Sequence, residues 1–186
     1  MFVQTEQTPN PNTLKFLPGK KVSEIGPIEF TKKNQPKNKL VEDLFSMKEI
    51  SMVFLGEDFL TVKKEDHVSW DEVKPKIISF INEYYLKGNN IVISKDFLKN
   101  NLELDKKKEP NDKIEKKIIE ILDKKIRPAV ARDGGDIKFK SFKDGLVTVE
   151  LQGSCSGCPS SIMTLKQGVQ NLLCHYISEV KRVEAV

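Results

Sequence analysis

A charged segment from Ser94 to Pro110 divides this 186-residue chain and limits what either side can become. It is rich in Lys, Asp and Glu, with Lys106-Lys107-Lys108 set between Asp105 and Glu109, and it ends in Pro110-Asn111. That composition reads as a linker. Phe97, Leu98, Leu102 and Leu104 argue against full disorder and predict that part of it is helical or docks on a neighbour. The expected organisation is an N-terminal domain over 1–92, a charged linker over 93–110 and a C-terminal domain over 111–186. Each domain is short enough that two layers around one small core are the natural solution, giving an α+β protein of two small α/β-layered domains.

In the first domain, Phe2–Thr5 and Leu14–Leu17 read as extended segments separated by the turn-rich Thr8-Pro9-Asn10-Pro11-Asn12. Lys39–Met47 is expected to be a short helix with Leu40, Leu44 and Phe45 inward. Ile50–Leu55 and Phe59–Val62 form a hairpin across Gly56-Glu57-Asp58. Ser69-x-x-Glu72 is a capping box for a helix running to about Tyr85, with Val73, Ile77, Phe80, Ile81 and Tyr84 on one stripe. His67 has no cysteine near it in sequence and is assigned a structural or surface role rather than a ligand role. Trp70 is assigned an anchoring role.

The second domain has a clearer pattern. Asp112-x-x-Glu115 caps a helix with Ile114, Ile118, Ile121, Leu122, Ile126 and Val130 at helical spacing, and Pro128 predicts a kink or early stop. Asp133-Gly134-Gly135-Asp136 is a turn; such a segment is more often a simple connector, but here it is expected to shape the loop beside the cysteine pair or to touch a partner subunit. Ile137–Phe142 and Leu146–Gln152 are strands joined by Lys143-Asp144-Gly145. Ile162, Leu165, Val169, Leu172, Leu173 and Tyr176 mark a second amphipathic helix, and Val180–Val186 a last strand. The order is α-β-β-α-β. A right-handed crossover sets the last strand parallel to Leu146–Gln152, giving a mixed three-stranded sheet.

The chemistry lies in Gly153-Ser154-Cys155-Ser156-Gly157-Cys158-Pro159, at a strand-to-helix junction. Pro159 suits the first helical position, which makes Cys158 the expected N-cap. There the helix dipole and unpaired N–H groups favour the thiolate, the form that binds metal or attacks a disulfide. Gly157 lets both sulfurs converge, and Gly153 and Ser154 are expected to keep the approach uncrowded. Tetrahedral zinc and common iron–sulfur clusters need four ligands, however. Cys174 lies 16 residues past Cys158, roughly 24 Å along a helix, and is read as a buried apolar residue; His175 is equally distant. A two-fold pairing of chains would supply four thiolates. Spacing alone leaves metal or cluster binding level with thiol–disulfide exchange. A thioredoxin-like fold is disfavoured by the lack of a βαβ run. A zinc-binding module would need a second ligand pair that the chain lacks.

Net charge is +4 and spread thinly, so no nucleic-acid-binding face is indicated. No stretch of about 20 apolar residues exists to span a membrane. Three cysteines do not make a secreted disulfide framework. With no signal or transit segment apparent, the expected location is cytoplasmic.

Arg127-Pro128-Ala129-Val130-Ala131-Arg132-Asp133-Gly134-Gly135-Asp136 followed by Gly153–Ser161 resembles the C-terminal NifU domain. Residues 1–87, with Gln4–Asn12, resemble the N-terminal domain of Nfu proteins. The resemblance implies a carrier rather than an enzyme. It would hold a [4Fe–4S] cluster, or a [2Fe–2S] cluster, between the subunits of a homodimer through Cys155 and Cys158. Upstream assembly machinery would load it, and apo iron–sulfur proteins would receive the cluster. Asp133 and Asp136 are not assigned as ligands, and Cys174 receives no role.

Overall fold

Leu14, Phe16, Val53, Leu55, Leu60 and Val62 alternate with residues of the opposite face, and in the computed structural model they line the inner side of one antiparallel sheet. The structure describes residues 2–100, 112–157 and 159–186, without the side chains of 98–100 and 159–161. The chain divides into two compact units, Met1–Leu104 and Asp105–Val186.

The first unit has strands β1 (Gln4–Gln7), β2 (Thr13–Leu17), β3 (Ile28–Thr31), β4 (Ile50–Leu55) and β5 (Leu60–Lys64) in the order β1-β2-β5-β4-β3. Helices α1 (Lys39–Ser46) and α2 (Trp70–Leu86) bury Leu40, Val41, Leu44, Val73, Ile77 and Ile81 in the same core. Each such aliphatic side chain contributes about 1.5–3 kcal/mol by leaving water. Asn38 caps α1 by accepting from the Leu40 and Val41 amides. Ser69 caps α2 through the Asp71 amide, one residue earlier than the full capping box would have it. Trp70 donates from Nε1 to the Pro11 carbonyl at 3.0 Å and lies against Phe16, pinning the start of α2 to the N-terminal turn. His67 is on the surface.

This unit runs past residue 92. Ile93 is fully buried in its core, and Ser23 bridges to Ile93. A short helix, α3 (Lys95–Asn100), follows, and Phe97 meets Phe30 edge-on. The expected linker therefore begins with structured residues: apolar positions inside a charged run are its means of docking. Leu102, Leu104 and the lysine run lie outside the described residues.

The second unit follows the expected α-β-β-α-β order. Helix α4 (Lys113–Ile121) passes through a π turn (Leu122–Ile126) into α5 (Arg127–Arg132). Asp112 occupies the N-cap of α4 without a side-chain capping bond. Pro128 has no N–H to offer Lys124, and its ring would crowd that carbonyl in a regular α-helix. The wider turn just before it removes the conflict. Strands β6 (Gly135–Lys143) and β7 (Leu146–Gly153) form a hairpin, with Asp144 and Gly145 both at positive φ, 52° and 83°. Helix α6 (Pro159–Tyr176) crosses over to β8 (Arg182–Ala185), which pairs parallel with β7. The sheet is mixed and three-stranded, in the order β6-β7-β8. Val147, Val149, Leu151, Ile137 and Val183 meet Ile118, Leu122, Val130, Val169 and Leu173 in one core.

Two positions on α6 differ from expectation. Val169, Leu173 and Ile177 are its buried row, four residues apart. Cys174 is one residue further round and is exposed, so its reading as a buried residue is corrected. Tyr176 is likewise exposed, and Ile177 just beyond the helix takes its place in the core.

Candidate metal site

Gly153 ends β7 at φ 68° and Gly157 turns the chain again at φ 74°, so the segment between them folds back on itself before α6 begins. Only glycine takes these conformations without strain. Ser156 Oγ donates to the Gly153 carbonyl at 2.9 Å and tightens the turn. Cys155 sits in its middle, 5% exposed, as part of the hydrophobic core of the second unit. Ser154 Oγ lies 3.8 Å from its sulfur.

The approach to Cys155 is therefore crowded, contrary to expectation. The Asp133–Asp136 segment causes this. Ser154 donates its amide to the Gly134 carbonyl at 3.1 Å and its hydroxyl to the Asp133 carbonyl. Gly135 presents its bare Cα to the sulfur: a Cβ there would stand 2.8 Å from Cys155 Sγ and 2.6 Å from the Gln152 carbonyl. The Asp-Gly-Gly-Asp segment is more than a connector, because Gly135 and Asp136 already belong to β6 and pair with Gly153 and Gln152.

Sequence reasoning missed the pair that holds this segment. Asp136 is 3% exposed and accepts two bonds from Arg127, Nε at 2.9 Å and Nη2 at 3.0 Å. Arg127 Nη1 also donates to Asp123 at 3.0 Å. Burial alone would lower the Arg127 pKa, but Asp136 and Asp123 outweigh it and raise it. The charge is permanent and the fork planar, which suits a buried carboxylate. The clue in the sequence was an aspartate opening an apolar strand, with an arginine nine residues before it.

Along the outer side of β7, burial pushes the Glu150 carboxyl up, yet bonds from Lys140 and Gln152 prevail and hold it below the usual glutamate value. Gln152 Oε1 is buried and has no hydrogen-bond partner among the described residues.

Of the two expected ligands, the structure places Cys155; Cys158 lies outside the described residues. Cys174 stands near the far end of α6. Among the described residues no group of three or more His, Cys, Asp and Glu side chains could hold a metal ion. A sulfur donor in the loop that leads into α6 suits an iron–sulfur centre or a thiophilic metal.

Residues 118–184 match the family model described as NifU-like domain, and residues 3–88 the one described as scaffold protein Nfu/NifU N terminal. Over 188 residues, all of this chain and 72% of the relative, it is 43% identical to the human NFU1 iron-sulfur cluster scaffold homolog, mitochondrial. The chain belongs to the Nfu/NifU-like scaffold family. NifU-like protein 4, mitochondrial, of Arabidopsis thaliana is 42% identical over 99% of this chain and 65% of its own length. A solution NMR structure of a NifU-like protein from Saccharomyces cerevisiae is 29% identical, with a TM-score of 0.47 over 51% of this chain and 86% of that one. The expected cytoplasmic location is corrected. These Nfu/NifU relatives carry mitochondrial names, which points to mitochondria. The chain spans about two thirds to three quarters of these relatives' length. Among the described residues no helix is long and apolar enough to cross a membrane.

Proposed function

We propose that this protein is an iron–sulfur cluster scaffold and carrier that holds its cargo through Cys155 and Cys158. The observation that carries the reading is identity along the whole chain with proteins named as iron–sulfur cluster scaffolds. The local chemistry supports it: Cys155 is set between two glycine turns at the entrance to α6, in a loop fastened from behind by the Asp133–Asp136 segment. Two thiolates supply half of the four sulfurs that a [4Fe–4S] cluster takes from protein. A second copy of the chain contributes the other half, so the loaded form is a homodimer with its cargo at the two-fold axis. The protein itself performs no catalytic step. It receives the cluster from assembly machinery and passes it to apo-proteins, and the mitochondrion is where this occurs.

Anaerobic reconstitution with iron and sulfide, followed by sizing, tests the reading. The expected result is about four iron per two chains, with a shift to dimer. Cys155→Ala and Cys158→Ala abolish loading, and Cys174→Ala retains it. A monomer that holds a complete cluster would sink the shared site. Rapid reduction of insulin disulfides by the iron-free chain would favour thiol–disulfide exchange instead.

A further inference from the structure

Arg127 precedes the Asp133–Gly135 turn and Asp136 follows it, so their two hydrogen bonds close residues 127–136 into a loop. Ser154 docks on the middle of that loop through the Asp133 and Gly134 carbonyls. The next residue is Cys155, whose sulfur rests over Gly135. The three contacts form one mechanical unit: the ion pair fixes the loop, the loop fixes Ser154, and Ser154 and Gly135 fix the thiol.

We propose that Arg127 and Asp136 are positioning residues for Cys155, which keep its thiol covered and aimed until the 153–157 segment moves to take up cargo. Without Arg127, Asp136 is left as an uncompensated buried charge; without Asp136, Arg127 keeps only its bond to Asp123 and no longer holds β6. The loop then loses its closure and Cys155 becomes accessible. This deepens the scaffold reading by naming what sets the exposure of its ligand, yet it rests on the geometry of the apo chain.

The test is the alkylation rate of Cys155 in the full-length iron-free protein, resolved from Cys158 and Cys174 by tandem mass spectrometry with iodoacetamide as the probe. Asp136→Asn and Arg127→Gln are expected to raise the rate at least about tenfold, the order that loss of one partner of a buried pair implies. Arg127→Lys keeps the charge without the fork and should fall between them and wild type. Val147→Ala opens a cavity in the same core away from the loop, and should lower the melting temperature while leaving the Cys155 rate near wild type. Equal rates in wild type, Asp136→Asn and Arg127→Gln would overturn the proposal, as would an equal rise in Val147→Ala. Should the first two variants fail to fold, Arg127→Lys decides: a wild-type rate there overturns it. Because no iron is present, a failure here is separate from any failure to load a cluster.

Discussion

Gly135 and Cys155 are in direct contact, and the contact exists because one of them lacks a side chain: a methyl group on Gly135 would sit 2.8 Å from the Cys155 sulfur. A strand residue and a candidate ligand twenty positions later are thus packed as a single feature.

Gly135→Ala should accordingly do more damage than a surface substitution. The added carbon also meets the Gln152 carbonyl at 2.6 Å, which is backbone and cannot swing aside. A loss of about 1–3 kcal/mol is expected from overpacking, read by urea denaturation of the apo protein. Iron uptake on reconstitution should fall with it.

Acid should weaken the second unit through Glu150. Its folded pKa lies below the ordinary 4.5. The unfolded chain therefore binds the proton more readily, and stability falls as pH drops. The contribution is complete above 4.5, shrinks as pH descends through the folded value, and is absent below it. Glu150→Gln should flatten this part of a pH–stability curve measured by thermal melting, and a curve unchanged by the substitution would assign the acid sensitivity elsewhere.

Gly168 lies inside α6 with open space where a side chain would be. Gly168→Ala should stabilise the protein by about 0.4–1 kcal/mol, since the unfolded chain loses freedom and nothing clashes in the folded one. A calorimetric melt gives the sign directly.

Ile93 provides a test of where the first unit ends. A fully buried isoleucine truncated to alanine costs about 2–5 kcal/mol, so Ile93→Ala should markedly lower the melting of the N-terminal unit. A residue in a solvated linker would tolerate the change.

Much of this fold was legible because periodicity speaks for local structure. The short apolar run Ile50–Leu55 and the stripe Val73, Ile77, Ile81 correspond to β4 and α2. β3 was not anticipated: Ile28–Thr31 is four residues long and acquires meaning only by pairing with β4, far along the chain. The site divides in the same way. A Cys-x-x-Cys before Pro159 announces thiol chemistry, but burial of Cys155 depends on Gly135 and Ser154, which become neighbours only after β6 and β7 pair. Asp136 was read as turn chemistry because its partner Arg127 reaches it from a helix. Tyr176 shows the limit of stripe reasoning, since one residue of rotation separates it from buried Ile177.

The π turn at Leu122–Ile126 does more than accommodate Pro128. A turn that absorbs one extra residue sets everything after it back by roughly 100° around the axis, compared with an unbroken α-helix of the same residues. Arg127 and Val130 are thereby rotated, one toward Asp136 and the other into the core. The wide turn works as a phase setting: the same residues wound as an unbroken α-helix would swing the arginine away from the strand it clasps. The width of this one turn, as much as residue identity, is then what keeps the thiol loop in its place.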